Sequence, residues 1–332
     1  MKVDAEQLEA LARALRARAE LGYKSDIQLA ARAFGRESRS AWFPTRTPVL
    51  NGDDAAALPD GEGYVLFAAE GLRSEFVAAD PWFAGFCSVM VNLSDIAAMG
   101  GRPWAITDVL SLGEGENERV VEGMVTASEA YGVPIVGGHT TRVSGPSQLA
   151  VAVLGRARRL ISAHAARAGQ TLIMAVDLRG TFRGTGGNFN AATSASAHDL
   201  RAALALLPEL AESGLVEAGK DISMAGLCGT LAMLCETSGV GARLDLSRVP
   251  SPANIDTVRW LTAFPSFGFV LTAAARDVAT VCARFDAVGI SAAAVGTIEA
   301  APRVELELGD QRALYFDLGE HELTGFGTKP RA

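Results

Sequence analysis

Residues 91–103 read VNLSDIAAMGGRP and close a long apolar segment that begins at Pro81. Proline fits the first turn of a helix and glycine commonly follows the last one, so the sequence predicts a helix from Pro81 to Gly100 or Gly101. The segment is apolar on nearly every side, and helices of that kind are buried. We therefore expect this helix in the interior of the fold.

Within residues 91–103, three polar residues interrupt the predicted helix: Asn92, Ser94 and Asp95. Burying a carboxylate without a partner is costly, so Asp95 requires a cation, a hydrogen-bond donor or water. A carboxylate that caps another backbone terminus would meet the same requirement. The pattern leaves both a cation site and a cap open.

A second acidic motif is NGDDAA at 51–56, where Asp53 and Asp54 are adjacent. Adjacent carboxylates repel each other, and a hard dication such as Mg²⁺ offsets that repulsion through its preference for oxygen ligands. A plain surface turn explains the same residues, because Asn-Gly and Gly-Asp are common turn dipeptides.

A glycine pair, Gly137 and Gly138, follows a short apolar strand predicted at 133–136, and we expect the pair to end that strand. Paired glycines allow backbone N–H groups to approach a phosphate closely, although a tight turn uses the same residues. His139 comes next. It is a candidate phosphate donor, acid–base group or packing residue, and the sequence leaves these roles open.

A fourth motif, KDISMAGL at 220–227, opens a helix predicted over 223–238. Asp221 or Ser223 is the expected N-cap, and a helix start also suits an anion. Clustered carboxylates, paired glycines and a helix N-terminus together are typical of a Mg²⁺-nucleotide site. The chain has neither a GxxxxGK[ST] motif nor the protein-kinase motifs, which excludes the two common nucleotide-binding folds.

The amino-acid composition argues against several classes of protein. The 332 residues include 49% hydrophobic ones, which excludes a disordered chain. The net charge of −8 should repel phosphate backbones, so we expect no nucleic-acid partner. It has no run of about 18 apolar residues, and its first residues lack the apolar run and small-residue cleavage site of a signal peptide. We therefore expect no signal peptide and no membrane partner. Its four cysteines form no CxxC pair, and we expect them as free thiols in a cytoplasmic protein.

The remaining segments mix helices and strands without strict βαβ alternation, which favours the α+β class. Further strands are predicted at 64–69, 104–111, 149–154, 171–176, 242–246, 267–273, 293–298 and 303–308. Further helices are predicted at 114–131, 198–212 and 275–287, and an amphipathic helical segment opens the chain. We expect three parts: a helical segment at 1–44, an N-terminal domain at 45–157 and a C-terminal domain at 158–320.

Five motifs in this order resemble the aminoimidazole ribonucleotide synthetase (PurM-like) superfamily, which includes thiamine-monophosphate kinase, selenophosphate synthetase and a hydrogenase-maturation dehydratase. They are NGDDAA (51–56), VNLSDIAAMGGRP (91–103), VGGHTT (136–141), ARAGQTLIMA (166–175) and KDISMAGLCGTLAMLCETSGVGARLDLSRVP (220–250). The resemblance implies a two-domain α+β fold with a C-terminal α/β sandwich. Its N-terminal domain would complete a β-barrel with a second copy in a homodimer.

The resemblance also implies ATP and Mg²⁺ as cofactors. Metal-binding positions are matched by Asp53, Asp54, Glu70 and Asp95. Nucleotide-binding positions are matched by Asn92, Asp95, Gly137 and Gly138. His139 or Asp221 would face the phosphoryl acceptor. The implied reaction is transfer of the γ-phosphoryl group of ATP to an unidentified small molecule.

The chain departs from the thiamine-monophosphate kinase pattern at four places. It has Ala69-Glu70 for Thr-Asp, GGHT for GGDT, DISMAGL for DISDGL, and FPSFGF (264–269) for the GGED stretch. Two substrate-side carboxylates are therefore missing. The GGH sequence is similar to selenophosphate synthetase, but the first 80 residues contain no Cys, and Lys24 is the only basic candidate of that kind. A non-catalytic ATP-binding dimer and a selenophosphate-synthetase-like phosphotransferase remain alternatives.

Overall fold

The computed structural model describes residues 5–42, 47–115, 117–184 and 186–327. Its helices are α1 (Ala5–Arg16), α2 (Ala19–Ser25), α3 (Ile27–Phe34), α4 (Ser74–Ala79), α5 (Pro81–Ala98), α6 (Asn117–Tyr131), α7 (Ala197–Glu212), α8 (Gly226–Ser238), α9 (Thr257–Leu261) and α10 (Val278–Asp286). Its strands are β1 (Glu37–Ser38), β2 (Val49–Leu50), β3 (Ala56–Asp60), β4 (Gly63–Leu72), β5 (Arg102–Leu112), β6 (Ile135–Arg142), β7 (Gln148–Ala157), β8 (Thr171–Val176), β9 (Thr181–Phe182), β10 (Asn188–Asn190), β11 (Ala218–Asp221), β12 (Gly241–Asp245), β13 (Phe264–Pro265), β14 (Gly268–Ala273), β15 (Ser291–Glu299), β16 (Arg303–Leu308) and β17 (Gln311–Asp317).

The chain forms two compact units. The N-unit consists of Asp54–Leu160 together with Ser194–Glu212. The C-unit holds the described residues up to Asp53, those of Ile161–Thr193, and those from Ser213 onward. This grouping joins α1 to the C-unit and α7 to the N-unit, whereas the predicted ranges separate them. The ranges themselves stay predictions.

The N-unit is a sheet with strand order β3-β4-β7-β5-β6, covered on one face by α5. Helix α5 is buried along nearly its whole length, as its apolar sequence predicts. Asp80 caps its start by accepting a hydrogen bond from the Phe83 N–H, and Gly100, at φ +71°, follows its end. Gly155 in β7 lets the helix approach the sheet, because a Cβ there would lie 2.6 Å from Ile96 Cγ2.

The C-unit contains a mixed sheet with strand order β11-β14-β8-β15-β12-β16-β17. Its core includes Leu8 from α1, Leu231 from α8 and Val270 from β14. Helix α1 packs against β17, so the first described helix lies against the last strand of the sheet. The two units together form a mixed α+β fold, as predicted. The five N-unit strands form an open sheet among the described residues, so the structure contains no closed barrel.

Two local predictions are wrong. The glycine pair does not end a strand, because β6 continues through Gly137 and Gly138 and pairs them with Thr107 and Asp108 of β5. The ladder with β5 supplies the backbone partners that keep this segment extended. The KDISMAGL segment also starts its helix later than predicted, since Asp221 ends β11 and the cap before α8 makes no side-chain hydrogen bond.

No helix among the described residues is long and apolar enough to cross a bilayer.

Substituting Gly85 by alanine should destabilise the N-unit. A Cβ at Gly85 would collide with the Val120 carbonyl of α6, and one at Gly123 would collide with the Trp82 carbonyl of α5. Overpacking of this kind costs about 1–3 kcal/mol, and we expect a loss of that size in the free energy of unfolding in urea. Gly71→Ala is the matched control, since no atom in the described part of the chain lies within 4 Å of its Cβ position. Equal stability of the two variants would contradict the close packing of α5 and α6.

Candidate functional site

Asp54 and Asp95 bring two carboxylates together in the N-unit. One oxygen of each lies within 4.8 Å of the other. Asp95 is 6% exposed on the buried helix α5, and Asp54 is half-buried at the first residue of the unit. Two oxygen anions at this separation fit Mg²⁺, which takes hard oxygen ligands.

Asn92 lies one turn before Asp95 on the same face of α5. It is 0% exposed, and its Nδ2 donates to the Ser88 carbonyl at 2.8 Å. Its Oδ1 accepts no hydrogen bond from any described residue. A buried carbonyl oxygen left unsatisfied costs about 1–3 kcal/mol, so this atom is a ready acceptor or ligand. The side-chain oxygens of Asn92 and Asp95 at this end of α5 are therefore suitable ligands for a cation that prefers oxygen.

Asp53 has different partners from Asp54, although the two are adjacent. Its carboxylate accepts hydrogen bonds from Ser162 Oγ at 2.5 Å and from the Ala163 N–H at 3.0 Å, both in the C-unit. Burial raises the pKa of Asp53, while the Ser162 hydrogen bond and the Lys220 charge oppose that rise. The Asp53 carboxylate is therefore held by hydrogen bonds within the C-unit, and its predicted role as a metal ligand stays a prediction.

Glu70 lies on β4 and is exposed. In the ladder between β4 and β7, Glu70 pairs with Val151. Val151 in turn pairs with Asp108 of β5 on its other side. Asp108 pairs with Gly138 of β6. Directly paired residues share a face of a sheet. Glu70, Asp108 and Gly138 therefore line one row on the face that buries Val151 and packs against α5.

Gly138 makes room for Asp108. A Cβ at Gly138 would lie 2.5 Å from Asp108 Oδ2 and 2.7 Å from the Asp108 carbonyl oxygen. Burial raises the pKa of the Asp108 carboxyl. The sequence analysis missed Asp108, although a carboxylate within an apolar strand is the same signal that singled out Asp95 within an apolar helix.

His139 and Gly137 lie on the opposite face of this sheet. His139 pairs with Val109, and both are exposed. No atom of the described residues lies within 4 Å of a Cβ built on Gly137, so its described surroundings are open. The structure therefore separates His139 from the sheet face covered by α5, and the predicted roles of both residues stay predictions.

Asp221 lies in the C-unit at the end of β11, buried beside the equally buried Lys220. Burial lowers the pKa of Lys220, and the carboxylates of Asp221 and Asp53 oppose that shift. A lysine is rarely buried without opposite charges, so this strand end is strongly charged. The sequence analysis assigned no role to Lys220, and its signal was a lysine that directly precedes the motif aspartate.

Replacing Asp108 should change the pH dependence of stability. Because burial raises its pKa above the ordinary 3.8, the folded chain keeps a proton that the unfolded chain has released. Stability then falls as the pH rises from 3.8 through the higher folded value. We expect Asp108→Asn to remove this decline in urea unfolding measured across that range. The exposed Asp60→Asn is the control, and identical profiles for Asp108→Asn and the wild type would contradict the burial of this carboxyl.

Profiles of the AIR synthase related protein match the chain twice. The N-terminal domain profile covers residues 52–157, and the C-terminal domain profile covers residues 174–309. The glycine pair, Asp54 and Asp95 lie within the first match, and Asp221 lies within the second.

The chain is 45% identical to an uncharacterized protein of Synechocystis sp. over 92% of this chain and 94% of that one. It is 31% identical to thiamine-monophosphate kinase of Synechococcus elongatus over 82% of this chain and 91% of the kinase. It is 27% identical to phosphoribosylformylglycinamidine synthase subunit PurL of Methanosarcina barkeri, over 77% of this chain and 40% of PurL.

Among solved structures, T. maritima PurL complexed with ATP is similar with a TM-score of 0.75 at 18% identity. The match covers 98% of this chain and 53% of that one, so the chain spans about half the length of this PurL. A chain of the HypE–HypF complex matches with a TM-score of 0.63 at 16% identity, covering 80% of this chain and 93% of that one. At these identities, the likeness establishes a shared fold.

Proposed function

The chain belongs to the AIR synthase related family, and on that premise we propose that it is an ATP- and Mg²⁺-dependent phosphotransferase acting on a small molecule. The thiamine-monophosphate kinase relative supports phosphoryl transfer as the reaction class. Structures of T. maritima PurL with ATP, ADP and AMPPCP support a nucleotide as the phosphoryl source.

The proximity of the Asp54 and Asp95 carboxylates carries this proposal. These two side chains would hold the Mg²⁺, and the buried Oδ1 of Asn92 offers a further oxygen directly or through water. When bound, the ion would neutralise phosphate oxygens of ATP. The contribution of the chain is a pair of carboxylates, of which Asp95 is fixed on the buried helix α5, and the pair would orient its ligand without a covalent intermediate.

The other predicted site residues belong to the proposal by motif position. Glu70 would add a carboxylate to the metal, and Gly137 and Gly138 would contact phosphate through their backbone N–H groups. His139 or Asp221 would face the acceptor. Asp53 keeps its hydrogen bonds to Ser162 and Ala163 in the described structure.

We further propose that a second copy covers the exposed face of the N-unit sheet. Phe67, 51% exposed, lies directly opposite the exposed Leu154, and Trp104, Val109 and Val136 are also exposed. Monomeric proteins rarely leave a contiguous apolar patch of this kind open to water. A homodimer that completes a barrel across this face would bury these side chains.

Asp54→Asn and Asp95→Asn should each weaken Mg²⁺-ATP binding. Each removes one negative charge from the pair, and we expect at least about a tenfold rise in the dissociation constant, equivalent to about 1.4 kcal/mol. Isothermal titration calorimetry with Mg²⁺ and a non-hydrolysable ATP analogue measures the effect. Asp60→Asn, at an exposed residue of the same unit, is the matched control. Equal binding by all three variants would contradict the proposed site.

A second candidate is an ATP-binding dimer without catalysis. Met224 stands where the kinase motif has an aspartate, and it is exposed. The GGED position is replaced by an apolar segment that forms β13 and the start of β14. Acceptor-dependent ADP release from a panel of hydroxyl- and amine-bearing metabolites would support the enzyme. Binding of Mg²⁺-ATP without turnover across the panel would support the non-catalytic dimer.

Phe67→Lys should dissociate the proposed homodimer. A lysine on the apolar sheet face would have to be buried without a partner, which is costly. Light scattering after size-exclusion chromatography should give the mass of a dimer for the wild type and of a monomer for the variant. Leu29→Lys, at another exposed apolar residue, should leave the dimer intact. A monomeric wild type would contradict this part of the proposal.

A further inference from the structure

Asp108 is a carboxylate without an assigned role. It lies on β5, the strand between β7 and β6. No hydrogen bond or ion pair to its side chain occurs among the described residues, and burial alone raises its pKa. A partly buried acid with no stabilising partner is unfavourable for folding, and such groups concentrate at functional sites.

The position of Asp108 links it to the proposed phosphate side of the site. A Cβ at Gly138 would lie 2.5 Å from Asp108 Oδ2 and 2.7 Å from the Asp108 carbonyl oxygen, so any other residue there would force the carboxylate and the backbone of β5 or β6 to shift. Val151 separates it from Glu70 in the same row of the sheet. The carboxylate therefore lies between one residue proposed to contact phosphate and another proposed to hold metal.

The charge of Asp108 limits what it can face. A carboxylate accepts hydrogen bonds and repels phosphates and other carboxylates. A group against it must therefore be a donor, such as a hydroxyl or an amine. No described lysine, arginine or histidine forms an ion pair with it, which leaves its acceptor capacity for a ligand.

On the proposed function, we propose that Asp108 binds the hydroxyl or amine of the phosphoryl acceptor and is the general base of the transfer. The acceptor O–H or N–H proton moves to the Asp108 carboxylate while the acceptor atom forms a bond to the γ-phosphorus. The bond between the γ-phosphorus and the bridging oxygen breaks, and its electron pair leaves with ADP. A carboxyl whose pKa lies nearer to neutrality is a more effective base for this step.

The inference is tested by steady-state kinetics of ADP release, with water and ethanolamine as acceptor probes at saturating Mg²⁺. We expect Asp108→Asn to lower kcat by about 10²–10⁴-fold, the usual contribution of a general base, with KM for ATP unchanged. The wild-type kcat should fall on the acid side of its pH profile as the base is protonated. That acid limb should be absent in Asp108→Asn and retained in Asp108→Glu, which keeps a carboxylate.

Asp60→Asn is the control for loss of an aspartate from the same unit, and it should keep both kcat and the acid limb. A folded Asp108→Asn variant with wild-type kcat and the same limb would overturn the inference while leaving the proposed phosphotransferase intact. A parallel fall in kcat and stability with the acid limb retained would assign Asp108 a structural role and would also overturn it. Failure of the wild type to bind Mg²⁺-ATP in calorimetry would overturn the proposed function first, and this inference with it.

Discussion

The cost of placing polar side chains inside an apolar helix is the constraint that organises the N-unit. Helix α5 is buried on nearly every side, yet it carries Asn92 and Asp95. The second carboxylate comes from Asp54, and an amide oxygen of Asn92 stays unsatisfied among the described residues. The buried polar side chains lower the stability of the folded unit relative to an all-apolar core, but they hold a set of oxygen atoms in fixed positions. The proposed chemistry depends on that exchange.

Much of the fold follows from local patterns, and the exceptions have long-range causes. The apolar run from Pro81 predicts α5 almost to the residue, because its start and end signals lie within the run. The fate of Gly137 and Gly138 cannot be predicted in that way, since β5 supplies the ladder that keeps β6 extended through them. The same holds for Asp221, which pairs with Phe269 instead of capping a helix. Tertiary partners override local propensity at both places.

The residues of the candidate site likewise fall into those that local sequence predicts and those that depend on distant residues. Asp95 is predictable because a carboxylate in an apolar helix is anomalous by itself, and Asp54 follows from its acidic motif. The different fates of Asp53 and Asp54 are not predictable, because they depend on Ser162 and Ala163, which are more than 100 residues away. Asp108 carried the same kind of signal as Asp95, a charge in an apolar segment, and Lys220 directly precedes the motif aspartate, but both lie in segments that had been interpreted through other residues.

The packing of α1 on β17 has a consequence for synthesis. Leu8, Ala12 and Leu15 are buried in the C-unit, yet the strand against which their helix lies is about 300 residues downstream. During translation, this apolar stripe stays without its partner strand until β17 has been synthesised. Contacts of such high sequence separation slow folding and leave apolar surface open to aggregation. The sequence separation between α1 and β17 therefore makes the completion of the C-unit core a late step of folding.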